Sequence, residues 1–382
     1  MSPRIAARVE DFRRTLIREI FESAPKDSFN LGLGQPDFDP PTVFCEALAK
    51  AASMPASGYG PTAGDRLLRE RVAQSYHGFV AGPDDVLITL GCQNATFTAL
   101  GCLLDPGDEL LVPDPGFPGA ERAAKSWGAT PVFYPLRAEN QFRIDVDELM
   151  SLAGPRTRGI LLITPSNPTG VVEPAATINR LIEETARRGI ALIVDEIYKE
   201  LCYTSDGPAP GVPAVAHPHV IVCGGLSKSV ALTGWRIGWA VCSDPVFIDK
   251  MTALHQTVLT CPSTPIQRAC RIAFEPEGIR AAQELKAAFR RRRDLVAAIL
   301  AASSARHAPL DGAFYAWVDA SAAGGGKRFA KALLDEEKIV VIPGEGFGQS
   351  APDWFRISYC QPEEKLGPAL RVIADRLNVP VR

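Results

Sequence analysis

Lys228 and Arg236 are the two residues whose types and spacing most directly suggest chemistry. Lys228 follows an apolar run at 219–223 and two glycines, and Arg236 comes eight residues later, before a second apolar run at 237–242. At the end of a buried strand an amine is partly desolvated, which lowers its pKa and makes it a nucleophile toward an aldehyde. A neighbouring guanidinium can bind phosphate through paired N–H donors. The alternative is a surface lysine and a structural arginine. The rest of the sequence is needed to distinguish these two interpretations.

Polar and aromatic residues follow the other predicted strands in the same way. They are Cys92 and Gln93 after strand 86–90, Phe117 after 110–112, Asn167 after 160–164, and Asp195 with Tyr198 after 190–194. The carboxyl ends of parallel strands lie at one edge of a sheet, where open α/β folds bind their ligands. We therefore expect these side chains to meet in one crevice with Lys228.

The residue types at this edge of the sheet indicate one binding site for an anion and one for a cationic group. The turn at Gly91 places backbone N–H groups at a helix N-terminus, and Ser227 and Arg236 could complete a phosphate site. Asp195 ends an apolar run, where an unpaired carboxylate would be costly, so it requires a cationic partner such as a protonated ring nitrogen. A plain helix cap is the alternative for Asp195.

The remaining groups fit a flat, substituted ring. Phe117 offers an aromatic face, and Asn167 and Tyr198 offer hydrogen bonds, although core packing or a simple turn would also explain each of them alone. Together with an anion site, a carboxylate for a ring nitrogen and the Lys228 amine, they describe a site for pyridoxal 5′-phosphate.

The elements that position these residues alternate between strand and helix from 86 to 242. Their strands are almost continuously apolar, which predicts an α/β fold with a mostly parallel sheet covered by helices on both faces. A smaller α+β part follows, with a long helix at 278–303 and a strand at 339–342. Residues 1–30 are predicted as one helix from their three- and four-residue apolar spacing. The predicted large domain is 42–272, and the small domain combines 1–41 with 273–382.

Composition excludes several classes of function. The 382 residues carry a net charge of −3, which gives no electrostatic basis for nucleic-acid binding. The basic run at 290–293 lies in the long predicted helix and is interpreted as a solvated face or a partner contact. The nine cysteines form no C-x-x-C pair, so no metal site is expected and the thiols are predicted to be reduced. Without a signal peptide or an apolar run of membrane-spanning length, the protein is expected to be cytoplasmic.

Several ordered motifs resemble one family along almost the whole chain, the class I/II aminotransferases of pyridoxal-phosphate fold type I. The motifs are Leu33-Gly34-Gln35-Pro36-Asp37-Phe38, Tyr59-Gly60-Pro61-Thr62-Ala63-Gly64 with Leu68-Arg69-Glu70, Ser166-Asn167-Pro168-Thr169-Gly170, Asp195-Glu196-Ile197-Tyr198, Ser227-Lys228, Gly234-Trp235-Arg236 and Phe355-Arg356-Ile357-Ser358. Each is weak alone, but their order and approximate spacing together make the resemblance specific.

The resemblance implies a role for each residue and a homodimer with shared active sites. Lys228 would carry pyridoxal phosphate as a Schiff base and act as general base, and Asp195 would hold the ring nitrogen protonated. Tyr198 and Asn167 would bind the phenolic oxygen, and Phe117 would stack on the ring. The phosphate would bind Cys92, Gln93, Ser227, Arg236 and, from the other subunit, Tyr59. The substrate α-carboxylate would bind Arg356, Asn167 and Gly34.

The reaction implied is ping-pong transfer of an amino group from an L-amino acid to a 2-oxo acid. A β- or γ-lyase, racemase or synthase of the same fold would use the same cofactor-holding residues, and a non-catalytic cofactor-sensing domain is a further alternative. The amino donor stays open. No arginine occurs in 254–267, where the dicarboxylate-specific subgroup has a second one, and this favours a neutral or aromatic donor. Phe21, Tyr315 and Phe347 are candidates for its pocket walls or for core packing.

Overall fold

The computed structural model describes residues 3–10, 12–54, 58–303 and 305–378. Its α-helices are α1 Ala7–Glu10, α2 Leu16–Ser23, α3 Thr42–Ala52, α4 Arg66–Ser75, α5 Cys92–Leu103, α6 Gly119–Ser126, α7 Val146–Ser151, α8 Ala175–Arg188, α9 Pro245–Val258, α10 Thr264–Cys270, α11 Pro276–Ala301, α12 Gly326–Glu337 and α13 Glu363–Leu377. Its strands are β1 Phe29–Asn30, β2 Val86–Thr89, β3 Glu109–Asp114, β4 Thr130–Pro135, β5 Thr157–Ile163, β6 Ala191–Asp195, β7 Val220–Gly225, β8 Gly238–Val241, β9 Tyr315–Asp319, β10 Ile339–Val340, β11 Ile342–Pro343 and β12 Trp354–Ser358.

Seven strands form the main sheet, in the order β2-β8-β7-β6-β5-β3-β4. All neighbouring pairs are parallel except those made by β8, which is antiparallel to both β7 and β2. The predicted α/β fold with a mostly parallel sheet is therefore confirmed. Because β8 runs against its neighbours, its first residue lies at the edge where β2 and β7 end. Arg236, two residues before β8, thereby comes to the carboxyl edge of the sheet.

Helices cover both faces of this sheet because its strands bury side chains on both sides. Ile160 and Leu162 of β5 belong to the apolar core on one face, and Leu161 and Ile163 to the core on the other. The covering helices are amphipathic in turn. In α8 the buried residues are Ile178, Leu181, Ile182 and Thr185. The helix ends at Gly189, whose φ of +64° is a left-handed conformation that glycine adopts easily because it has no Cβ.

The N-terminal segment differs from the single helix predicted over 1–30, and that prediction is wrong. Only α1 and α2 are helical, and α2 restarts at a new cap where the Thr15 side chain accepts from the N–H of Arg18. Further on, β1 pairs in parallel with β10. Residues 1, 2 and 11 of the predicted helix lie outside the described residues. Apolar periodicity alone could not reveal the helix break at the Thr15 cap.

The C-terminal part packs a second apolar core behind a small antiparallel sheet, β11-β12-β9. The strand predicted at 339–342 is divided, because β10 pairs with the N-terminal β1 and β11 pairs with β12. This pairing connects residues 29–30 with residues 339–340. The division into two domains and its boundaries stay a prediction. Residues 304 and 379–382 of the predicted small domain lie outside the described residues.

The basic run on α11 is not a uniformly solvated face. Arg292 is buried, with its guanidinium donating to both oxygens of Asp37 at 2.6 and 3.0 Å and lying near the rings of Phe38 and Phe289. This pair anchors the loop that follows Gly34. Within the described residues, no helix combines the length and apolar character needed to cross a membrane.

Candidate active site

A cavity of about 950 Å³ opens at the carboxyl edge of the main sheet, where it meets the C-terminal part. The predicted site residues that line it are Gly34, Cys92, Gln93, Phe117, Asn167, Asp195, Tyr198, Ser227, Lys228, Arg236 and Arg356. Tyr59 does not line the cavity of this single chain and is 88% exposed. Residues from seven separate stretches of the sequence are thus brought together.

Lys228 lies three residues beyond β7, in a partly buried position. Its Nζ donates to the carbonyl oxygen of Gly34 at 2.8 Å and lies 5.7 Å from the centre of the Phe314 ring. Burial lowers the pKa of the Lys228 amine to about 8, and the nearby cations Arg236 and Arg356 lower it further, against the opposite effect of Cys360 and Asp195. A substantial neutral fraction near pH 8 makes this amine a nucleophile and a base.

Asp195 is the last residue of β6, and burial raises the pKa of its carboxyl group. Its Oδ1 accepts from the backbone N–H of Ile197 at 3.0 Å and from the Sγ of Cys92 at 3.2 Å. Within the described part of the chain Oδ2 accepts no hydrogen bond. A cationic N–H donor placed in the cavity would therefore find an acceptor whose other oxygen is already fixed.

The junction of β2 and α5 forms a narrow cradle next to Arg236. Gly91 has φ +84°, and a Cβ there would lie 2.6 Å from Nη2 of Arg236, so only glycine fits this junction without displacing the arginine. The Arg236 guanidinium is fixed by donating to the carbonyls of Thr233 and Leu90, both at 3.0 Å. The N–H groups of Cys92 and Gln93 open α5 and have no preceding turn to bind, which suits an anion. Ser227 also lines this cavity.

Arg356, in the middle of β12, is 1% exposed and held on several sides. Its Nη1 donates to Oδ1 of Asn167 at 2.7 Å and its Nη2 to the carbonyl oxygen of Gly32 at 2.5 Å. Its guanidinium carbon lies 4.3 Å from the centre of the Tyr315 ring and 4.6 Å from that of Phe347. Its Nε is buried without an acceptor in the described structure. A fixed fork with an unsatisfied donor is suited to a carboxylate.

Tyr198 and Tyr315 form a hydroxyl pair that sequence reasoning did not identify. Their phenolic oxygens are 2.8 Å apart, and both side chains are buried. Burial raises the pKa of Tyr315 to about 12, and it raises the pKa of Tyr198 well above its ordinary value. The Tyr315 hydroxyl also contacts the backbone at Gly34 so closely that a Cβ there would clash. The 117 residues between the two tyrosines explain why no local pattern could reveal the pair.

Three arginines at the cavity were also missed, namely Arg14 near the start of α2, Arg18 on α2 and Arg122 on α6. Arg14 and Arg18 share Glu22 as an acidic partner. Arg122 makes no side-chain hydrogen bond or ion pair with any residue that the structure describes.

Phe117 also lines the cavity. Its ring is packed so tightly on Gly119 that a Cβ at position 119 would lie 2.5 Å from it.

Comparisons with known proteins point to one family. The family model for "Aminotransferase class I and II" matches residues 26–373. An aspartate aminotransferase of Pyrococcus horikoshii is 36% identical, over 98% of this chain and 97% of its own. An aromatic-amino-acid aminotransferase of Thermococcus litoralis is 32% identical, over 96% of each chain. The structure of an aspartate aminotransferase from Thermus thermophilus with maleate has a TM-score of 0.91 and 30% identity, covering 98% of this chain and 100% of that one.

Proposed function

This chain belongs to the class I and II aminotransferases, and on that premise we propose which residues hold its cofactor and its substrate. As a member it is an enzyme that transfers an amino group from an amino acid to a 2-oxo acid. The family depends on pyridoxal phosphate. The proposal is that this chain binds that cofactor in the cavity described above, with Lys228 as the residue that carries it.

The residues present fit pyridoxal phosphate. The free Oδ2 of Asp195 suits a protonated ring nitrogen, and the cradle of Gly91 and Arg236 suits the phosphate. Phe117 offers a face for the ring. Tyr198 and the amide group of Asn167, whose oxygen is engaged by Arg356, offer donors for the phenolic oxygen. When bound, the cofactor supplies an electron sink for the electrons released at the substrate α-carbon.

The chain's own residues then orient the substrate and move a proton. Arg356 binds the α-carboxylate through a fork already held by Asn167 and Gly32, which directs the α-carbon toward Lys228. The Nζ of Lys228, with its pKa lowered to about 8, takes the proton from the substrate α-carbon and would pass it to the bound cofactor. In the second half-reaction the proton would move in the opposite direction, to the α-carbon of the new amino acid. Gly34, whose carbonyl oxygen accepts from Nζ, lines the same cavity as Arg356.

The convergence of the Lys228 amine, the Asp195 carboxylate and the Arg356 fork on one cavity is the observation that carries this proposal. Its test is an absorbance spectrum of the purified protein before and after adding a panel of amino acids. We expect a bound-cofactor band that one amino acid converts and that a 2-oxo acid restores, while Lys228→Ala does not complete the cycle. No band after reconstitution would refute it. Ammonia release without transfer to an oxo acid would favour the lyase alternative.

The arginines at the cavity favour a substrate that carries a second anionic group. Arg236 and Arg356 are assigned to the phosphate and the α-carboxylate. Three positive charges remain at the cavity, those of Arg14, Arg18 and Arg122, and the carboxylate of Glu22 pairs with the first two of them. A surplus of positive charge remains at the cavity. This points to a dicarboxylic amino acid or oxo acid, the class named for the Pyrococcus relative, and it opposes the neutral or aromatic donor expected from the sequence.

Substituting Arg122→Gln tests this substrate class. We expect kcat/KM for aspartate and glutamate to fall about tenfold to hundredfold, since a charge-assisted hydrogen bond contributes about 1.5 to 3 kcal/mol and about 1.4 kcal/mol is a factor of ten. The kcat/KM for phenylalanine should stay the same. Arg158→Gln is the control, because Arg158 is exposed and does not line the cavity. An equal loss for acidic and aromatic substrates would refute the assignment.

We also propose a cytoplasmic homodimer with the domain division 42–272 and 1–41 with 273–382. The Tyr59 side chain is 88% exposed in one chain, so it is accessible for the contact with a second chain that this proposal requires. In the dimer Tyr59 would reach the phosphate bound by the other subunit. Sedimentation of the wild-type protein tests the dimer, and weaker binding of pyridoxal phosphate by Tyr59→Phe tests the shared site.

A further inference from the structure

The two oxygens of the Asp195 carboxylate lie in different surroundings. Oδ1 is fixed by the N–H of Ile197 on one side and the thiol of Cys92 on the other. Oδ2 accepts no hydrogen bond from the described residues, and Asp195 lines the cavity. The Ile197 bond is local to the turn after β6, whereas Cys92 comes from a helix 103 positions earlier in the chain. The thiol is therefore the contact that ties the carboxylate to the β2–α5 junction.

Cys92 is well suited to act only as a donor. It is the first residue of α5, directly after the Gly91 cradle, and is 6% exposed. Burial and the nearby Asp195 carboxylate raise the pKa of its thiol well above the ordinary value, so the proton stays on sulfur at neutral pH. A carboxylate is the strongest acceptor available to a thiol, and the 3.2 Å separation fits such a bond.

The charged groups that face Asp195 act in opposite directions. Glu196, the next residue, raises the pKa of the carboxyl group, and Lys228 from the loop after β7 lowers it. Cys223 is the residue paired with Asp195 on the neighbouring strand β7, but its thiol makes no hydrogen bond to the carboxylate within the described structure. The N–H of Ile197 and the thiol of Cys92 are the neighbours that donate hydrogen bonds, and both favour the ionised form.

We propose that Cys92 is a positioning residue for Asp195: its thiol fixes Oδ1, so that Oδ2 faces the cavity as an ionised acceptor for the ring nitrogen of pyridoxal phosphate. This rests on the proposed function. Loss of the thiol leaves the carboxylate with one fixing donor, so it can rotate about its terminal torsion and its ionised form is less favoured. Protonation of the ring nitrogen then decreases.

The test compares four proteins, the wild type, Cys92→Ala, Cys92→Ser and Cys223→Ala. Serine retains a donor at the start of α5, and Cys223→Ala removes a different buried thiol beside the same carboxylate. Each is reconstituted with pyridoxal phosphate labelled with ¹⁵N in the ring. The ¹⁵N chemical shift reports protonation of the ring nitrogen, and titration of the cofactor-free protein gives the dissociation constant.

We expect Cys92→Ala to move the ¹⁵N signal toward that of the unprotonated ring. Binding of the cofactor should weaken about tenfold, because a carboxylate that is less aligned and less favoured in its ionised form bonds the ring nitrogen less strongly. Cys92→Ser should restore the signal and bind within about threefold of the wild type. If alanine prevents folding, Cys92→Val replaces it, because valine fills the volume without a donor.

Two outcomes would overturn the proposal. A wild-type ¹⁵N signal in Cys92→Ala shows that the thiol has no influence on Asp195. The same change in Cys223→Ala shows that loss of any buried thiol nearby has this effect. Failure of the proposed function is a separate result, since the wild-type protein would then bind no pyridoxal phosphate at all.

Discussion

Glu173 is buried six residues after Asn167, and replacing it by glutamine should stabilise the protein at neutral and alkaline pH. Its Oε1 accepts from the N–H of Ile144 at 3.1 Å, while its Oε2 is buried without a partner in the described structure. Burial raises the pKa of the carboxyl group from 4.5 to about 7, although the Ile144 N–H and the Arg143 guanidinium act in the opposite direction.

The size of the effect follows from proton linkage. Between pH 4.5 and 7 the folded state binds more protons at Glu173 than the unfolded state does, so the free energy of unfolding falls as the pH rises. A shift of about 2.5 units, from 4.5 to about 7, corresponds to roughly 3 kcal/mol at 1.36 kcal/mol per unit. Glutamine keeps the Oε1 acceptor but leaves an amide N–H₂ unpaired, at a cost of about 1 kcal/mol. The expected gain is therefore about 2 kcal/mol above pH 7.

Urea unfolding followed by tryptophan fluorescence at pH 8 and pH 5 measures this gain. We expect Glu173→Gln to raise the free energy of unfolding by about 2 kcal/mol at pH 8 and to leave it nearly unchanged at pH 5, where the buried acid is protonated. The control is Glu139→Gln at an exposed position, which should change little at either pH. A gain of equal size at both pH values would refute the reasoning, because it would not depend on ionisation.

Two further predictions concern the site. In the cofactor-free protein, the reaction of the Lys228 amine with an acylating reagent should rise with a midpoint near pH 8 rather than near 10.5, because burial favours the neutral amine; peptide mapping across a pH series measures this, and a midpoint above pH 10 would contradict it. Tyr315→Phe removes one hydroxyl of the pair with Tyr198 but keeps the ring on Arg356, so kcat should fall about threefold to tenfold with little change in KM. Steady-state kinetics test this, and a KM that rises while kcat is unchanged would show that the hydroxyl acts on substrate binding instead.

The sequence was sufficient to predict the sheet and the convergence of its strand ends, because both follow from local patterns. Apolar runs of five residues predict buried strands, and a polar residue directly after such a run falls at the edge of the sheet. Asp195 directly follows such a run and Asn167 lies three residues beyond one, so both were predicted at this edge without any contact being known. The antiparallel direction of β8 was not predicted, since a fully buried strand has the same pattern in either direction.

Contacts between distant parts of the chain were beyond sequence reasoning. The Cys92–Asp195 and Tyr198–Tyr315 bonds join residues 103 and 117 positions apart. The basic run that contains Arg292 was interpreted as a solvated face or a partner contact, whereas Asp37, 255 positions away in the same chain, provides Arg292 with a buried partner. In each case the side-chain type is compatible with several environments, and the tertiary packing selects one.

The fixed Arg356 fork also has a thermodynamic consequence for selectivity. A free arginine side chain has rotamer entropy worth about 2 kcal/mol, which a ligand must remove if it binds a mobile guanidinium. Here Asn167, Gly32 and the rings of Tyr315 and Phe347 have already removed that freedom during folding. A carboxylate therefore gains nearly the whole of its interaction with the fork. An amine without a carboxylate gains nothing from it, and the unpaired Nε stays without an acceptor.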